Sequence, residues 1–212
     1  MKTRTIRLTL CLLLTLALTA ALTGCGGRDE PLSEKPVLYL YPEEETEVTV
    51  TLDLDGVLIS TYPDYGEGWT VTAAPDGTLT DERGREYYCL FWEGSLDTEF
   101  DFSAGFCVAG EETAAFLEEA LADLGLTEQE ANEFLLYWLP RMEGNPYNLI
   151  AFQTQCYTDT ARLDIDPAPD TLIRVHMAWK GLSAPVELPP QELTAVERIG
   201  FTAVEWGGTE VS

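Results

Sequence analysis

Over residues 47–54, charged or threonine positions alternate with Val48, Val50, Leu52 and Leu54, and a second alternating run covers residues 57–62. Asp55-Gly56 stands between them, and Asp-Gly between two such runs is the strongest short signal for a hairpin. A two-residue turn sets Leu54 opposite Val57, Leu52 opposite Ile59 and Val50 opposite Thr61, which gathers the apolar side chains on one face. Upstream, residues 37–41 lie between two prolines, with Val37, Tyr39 and Tyr41 on one side and Leu38 and Leu40 on the other, as in a strand covered on both faces. Residues 69–73 alternate again, and Pro75-Asp76-Gly77 and Arg83-Gly84 mark turns. Residues 87–92 (YYCLFW) are apolar or aromatic throughout, which predicts a central strand ended by Glu93-Gly94, and residues 95–106 read as a loop or irregular strand.

The period then changes from 2 to 3.6. Ala114, Leu117, Ala120, Leu121 and Leu124 form one stripe over residues 111–124, with acids at its start, where the helix dipole favours them, and Gly125 as its cap. Thr127 and Glu130 then make a capping box, and Ala131, Phe134, Leu135 and Trp138 form a second stripe that ends before Pro140. Two short helices joined by a tight turn make a helical hairpin that covers a sheet. Strands resume at residues 149–155, 161–165, 172–180 and 201–206, and Pro185, Pro189 and Pro190 break the path between the last two. Helices do not alternate with strands. The fold class is therefore α+β, a mostly antiparallel β-sheet with an inserted helical hairpin, in a single domain over residues 36–212.

The first 24 residues carry Lys2, Arg4 and Arg7 and then an apolar run over residues 8–22 with no acid, the form of a signal peptide and shorter than a membrane span. The run ends in Leu22-Thr23-Gly24-Cys25, which resembles the lipobox of bacterial lipoproteins. That resemblance implies cleavage before Cys25, acylation of its thiol, and anchoring through two or more chains. Residues 25–35 read as a tether, and the domain is expected at the outer face of the cell membrane.

The chain holds 37 acidic and 12 basic residues, and loss of the three basic leader residues brings its net charge from −25 to about −28. Such a surface repels nucleic acid and anionic headgroups. The expected partners are the membrane, through the anchor, and a glycan, peptide or envelope protein. With 45% apolar and 10% aromatic residues the chain is globular. Cys89, Cys107 and Cys156 have apolar neighbours and read as buried thiols; three cannot all pair, and one bridge among them stays open.

Histidine-dependent nucleophilic catalysis has one candidate base, His176, and no nucleophile elbow accompanies it. Cys/His clusters at zinc spacing and glycine-rich phosphate loops are absent, so no metal or cofactor is expected. Asp53, Asp55 and Asp64 suggest a calcium loop, but Gly56 comes too early and Val57 stands at a ligand position. Alternation over residues 172–180 places Arg174, His176 and Lys180 on one strand face, a cationic patch suited to a carboxylate, phosphate or sulfate, or else paired with surface acids. Glu93, Asp97, Glu99 and Asp101 follow the aromatic strand, and two of them facing each other would suit glycosidic hydrolysis, although acids are common in this chain. Tyr39, Tyr41, Tyr62, Tyr65, Trp69, Tyr87, Tyr88 and Trp92 are dense enough for a stacking platform, with Tyr62, Tyr65 and Trp69, which flank the turn Pro63-Asp64, as its best exposed members, while strand aromatics more often build a core.

Lys35-to-Pro42 (KPVLYLYP), LFWEG at residues 90–94, WLPRMEGNPY at 138–147 and GFTAVEWGG at 200–208 resemble a family of uncharacterised bacterial secreted proteins and lipoproteins. The resemblance carries no activity, ligand or catalytic residue with it. The expected function is a lipid-anchored extracytoplasmic binding module. Its alternatives are a carboxylate-dependent glycan hydrolase and a structural subunit of an envelope assembly.

Overall fold

The computed structural model describes residues 32–211, residue 195 excepted; the expected leader and Cys25 lie outside the described residues. Twelve strands form two sheets. Strands β1 (Leu32–Tyr41), β3 (Gly56–Tyr62), β7 (Leu90–Leu96), β8 (Phe106–Ala109), β9 (Tyr147–Gln153), β11 (Thr171–Leu182) and β12 (Thr202–Glu210) make a seven-stranded sheet in the order β3-β7-β1-β12-β11-β9-β8. Strands β2 (Thr46–Leu54), β4 (Trp69–Ala73), β5 (Leu79–Thr80), β6 (Glu86–Tyr87) and β10 (Ala161–Asp166) make a five-stranded sheet in the order β10-β2-β4-β5-β6. Every pairing is antiparallel except β11 with β12, and the fold is α+β. Because β1 begins at Leu32, residues 32–35 belong to the sheet and not to a tether.

Helices α1 (Thr113–Asp123) and α2 (Glu128–Met142) cover one face of the large sheet, and the small sheet covers the other. Strand β1 shows why both faces are apolar: Val37 and Tyr39 enter the helix-side core, while Leu38 and Leu40 enter the core between the sheets. The helical hairpin forms as the sequence predicts. Gly125 takes φ +88°, which a side chain would resist, and closes α1. The Glu130 N–H donates to Thr127 Oγ1 at 3.3 Å and the Thr127 N–H donates to Glu130 Oε2 at 2.8 Å, which completes the capping box.

Pro140 does not stop α2, which continues to Met142. Its missing N–H frees only the Leu136 carbonyl in the last turns, on the exposed side of the helix, so water can satisfy it. The predicted hairpin at Asp55-Gly56 is also absent. Strand β2 pairs with β4 and β10, and β3 pairs with β7. Here the chain changes sheets, with the Asp55 N–H donating to the Thr160 carbonyl at 2.7 Å and the Asp97 N–H to the Asp55 carbonyl at 3.0 Å. A Cβ on Gly56 would lie 2.0 Å from the Ser95 carbonyl oxygen, so glycine is needed for the close approach to β7. Val48 and Val50 are buried while Val57 and Ile59 are each 60% exposed, so the two apolar runs never share a face.

Residues 87–92 are not one strand either: Tyr87 ends in the small sheet, Tyr88 projects outward, and β7 starts at Leu90 and runs through Gly94. The strand expected to reach Gln155 ends at Gln153, and Gln155 instead opens a third helix, α3 (Gln155–Thr160). Side-chain amides extend the large sheet where β8 stops. Gln191 exchanges two hydrogen bonds with the Phe152 backbone, at 2.8 and 2.9 Å, and Gln153 does the same for the Asp101 backbone, at 2.9 and 3.0 Å. No helix among the described residues is long and apolar enough to cross a membrane.

Candidate functional site

The cationic face predicted on β11 is not open to solvent. Arg174 and His176 point between the sheets, where the side chain of Arg174 is 8% exposed and His176 is fully buried. Arg174 stands beside Glu205 in the parallel β11–β12 register, its Nε donating to Glu205 Oε2 at 2.8 Å and its Nη2 lying 2.7 Å from the same oxygen. Tyr157 donates its hydroxyl to Oε2 at 2.9 Å, Trp92 donates its indole N–H to Oε1 at 3.1 Å, and Arg174 Nη1 donates to the Ala161 carbonyl at 2.7 Å. Each charge therefore meets an opposite charge or a dipole, the condition under which an ion pair survives burial. His176 is sandwiched between Tyr157 at 4.0 Å and Phe100 at 5.4 Å, with Nε2 3.1 Å from Thr209 Oγ1. Burial, helped by the Arg174 charge, pushes its pKa down to about 3, so the ring is neutral. Lys180 is partly exposed, with Nζ 5.5 Å over the Phe102 ring.

The predicted aromatic platform also divides. Trp69 is buried in the core between the sheets and donates its indole N–H to the Pro63 carbonyl at 2.9 Å, and Tyr65 packs edge-on against it while bonding to the Leu52 backbone. Tyr62 alone faces outward, 51% exposed. Of the four acids, Asp97, Glu99 and Asp101 lie on an exposed loop, and Asp101 accepts the Ser103 N–H at 2.7 Å, which holds its carboxyl below the usual range. Among the described residues no cluster of three His, Cys, Asp or Glu side chains could hold a metal ion.

Tyr62 and Glu93, however, come together. They line an open groove of about 600 Å³ at the β3 side of the molecule, with Lys35 from β1, Arg85 to Cys89 from the β6 segment, Phe91 from β7 and Tyr137 from α2. A bulge in β1 builds one wall. Between Glu34 and Val37 the register shifts against both neighbouring strands, and Lys35 takes φ 60°. The bulge sends Glu34 to Tyr137, whose hydroxyl donates to it at 2.9 Å, and lays Lys35 Nζ 5.3 Å over the Phe91 ring. The Lys35 N–H also donates to Glu93 Oε1 at 3.4 Å.

On the opposite wall Arg85 stacks over Tyr62 and Tyr87, 5.9 and 5.7 Å from their centroids, and donates to the Tyr62 hydroxyl at 2.9 Å. Tyr88 stands 58% exposed beside them. Cys89 is buried, and burial pushes its thiol up to about 11, so it contributes a neutral wall rather than a nucleophile. Cys107 and Cys156 are also free thiols, but unlike Cys89 they are only partly buried, against the sequence expectation of three buried thiols. Sequence reasoning missed Lys35, Arg85 and Tyr137 as groove residues; two cations flanked by tyrosines in an acidic chain were the available signal.

No family model matches the chain, and no solved structure matches it. A protein described as "Uncharacterized protein in bglA 3'region", from Butyrivibrio fibrisolvens, is 45% identical over 83 residues, covering 36% of this chain and 85% of that protein. With most of that relative aligned at this identity, the chain belongs to the same family as the uncharacterized Butyrivibrio fibrisolvens protein.

Proposed function

We propose that the chain is a lipid-anchored extracytoplasmic binding module whose ligand sits in the groove between Lys35, Tyr62, Arg85, Tyr88, Phe91 and Tyr137. The leader pattern and the Leu22-Thr23-Gly24-Cys25 lipobox support the anchor, with Cys25 as the acylated residue at the outer face of the membrane. One observation carries the binding reading: aromatic rings left half exposed at an open concavity, beside Lys35 and Arg85, which form no salt bridge among the described residues. Rings that serve only a core are covered, as Trp69 is. Binding sites of this size are lined by aromatic surface with a few polar groups that fix orientation.

The test is a thermal-shift screen of cell-wall glycans and peptides against the detergent-solubilised protein. At least one compound raises the melting temperature, and Tyr88→Ala abolishes that shift. A hit that persists in Tyr88→Ala sinks the groove as the site. For the anchor, radiolabelled palmitate enters the wild type and not Cys25→Ser. Carboxylate-dependent hydrolysis is a second reading, favoured by the presence of Glu93 in the groove; it predicts turnover that Glu93→Gln removes.

A further inference from the structure

We infer that the groove takes a short saccharide bearing a carboxylate, of the uronic-acid type; this rests on the groove being the ligand site. Charge is the first argument. Among the described residues, Arg141, Arg162, Arg174 and Arg198 are in salt bridges, whereas Lys35, Arg83, Arg85 and Lys180 are in none. Two of those four cations line this one groove, in a chain whose net charge is −25. Both lie over aromatic rings, which orient a cation without cancelling its charge. Glu86 and Glu93 share the groove, but neither is in a salt bridge with Lys35 or Arg85 among the described residues, so both cations are open to a ligand carboxylate through charge-assisted hydrogen bonds.

The rest of the lining suits a sugar ring. Tyr62 and Tyr88 present half-exposed rings against which the C–H face of a pyranose can lie, with hydroxyls at their tips. Glu93, held by the Lys35 N–H, and the exposed Glu86 at the rim are acceptors for sugar hydroxyls. An extended peptide fits less well. Strand β7, which contributes Phe91 and Glu93, has both edges taken by β1 and β3, and the edge strands offer little backbone here: β3 contributes its last residue, Tyr62, and β6 is two residues long. Length is limited as well. Repulsion from the acidic body is screened beyond about 8 Å at physiological ionic strength, so a few charges held in the groove are tolerated where a long polyanion is not.

Calorimetric titration of the detergent-solubilised full-length protein tests this with three probes: trigalacturonic acid, its methyl ester and triglutamate. The free acid binds about tenfold tighter than the ester, the effect of one charge-assisted hydrogen bond. That preference disappears in the Lys35→Gln/Arg85→Gln double variant, and binding of both sugars falls in Tyr88→Ala. Equal binding of acid and ester, or tighter binding of triglutamate that Tyr88→Ala removes, overturns the ligand class and leaves the groove as the site. Absence of any Tyr88-dependent binding among the three probes overturns the ligand class, while the groove itself falls only if the wider screen also yields no Tyr88-dependent hit.

Discussion

Strand β7 serves two polar sites at once, and they are opposites. Trp92 turns inward to Glu205, in a network that includes Arg174, Tyr157 and His176, sealed between two sheets. Its neighbours Phe91 and Glu93 line the groove, where Lys35 and Arg85 have no acidic partner in a salt bridge among the described residues. In the sealed site the two charges neutralise each other, and the polar atoms left without a hydrogen bond, Arg174 Nη2 and His176 Nδ1, are buried out of a ligand's reach. In the open site capacity is left over. Burial alone is therefore a poor guide to function here, and unsatisfied charge at an accessible surface is the better one.

The comparison fails first if the sealed site proves dispensable. Glu205→Gln leaves Arg174 charged and unpaired in the core, which costs about 3 kcal/mol of folding free energy by urea denaturation. A loss below about 1 kcal/mol would mean that water reaches Arg174.

Acid should act on the same region through His176. Its folded pKa, about 3, lies below the unfolded value near 6.5, so the unfolded chain takes up the proton first. The stabilisation is full above pH 6.5 and is lost as pH falls toward 3, with a limiting slope of about 1.4 kcal/mol per pH unit. His176→Phe removes that contribution, and comparing the two proteins between pH 6.5 and 5 isolates it from most carboxylate titration.

Trp92→Phe keeps an aromatic ring but deletes the donor to Glu205 and part of a fully buried side chain, costing at least about 1.5 kcal/mol, the value of a hydrogen bond to a charged group. Tyr88→Ala sits at the other extreme. With its ring exposed, stability changes by no more than about 0.5 kcal/mol, while ligand binding is lost. A large destabilisation at Tyr88 with no binding phenotype would remove the distinction between the two regions.

What the residues alone determined was local. The capping box of Thr127 and Glu130 and the left-handed Gly125 each involve groups within a few positions of one another, so helix chemistry fixes them without help from the rest of the chain. The two-sided alternation of β1, the class of the fold and the helical hairpin were legible for the same reason. Partner choice was not. At Asp55-Gly56 the turn chemistry and the apolar register agreed on a hairpin, yet β4, β10 and β7 took the available edges, because which strands compete for an edge is a property of the whole sheet.

Alternation likewise put Arg174 and His176 on one face, but only the docking of the small sheet and α3 decided that this face is covered. The groove is the extreme case: Lys35, Tyr62, Arg85, Phe91 and Tyr137 come from distant parts of the chain and meet only when the sheets and α2 have packed. Periodicity reports which side of an element a residue occupies; tertiary packing decides what stands opposite that side.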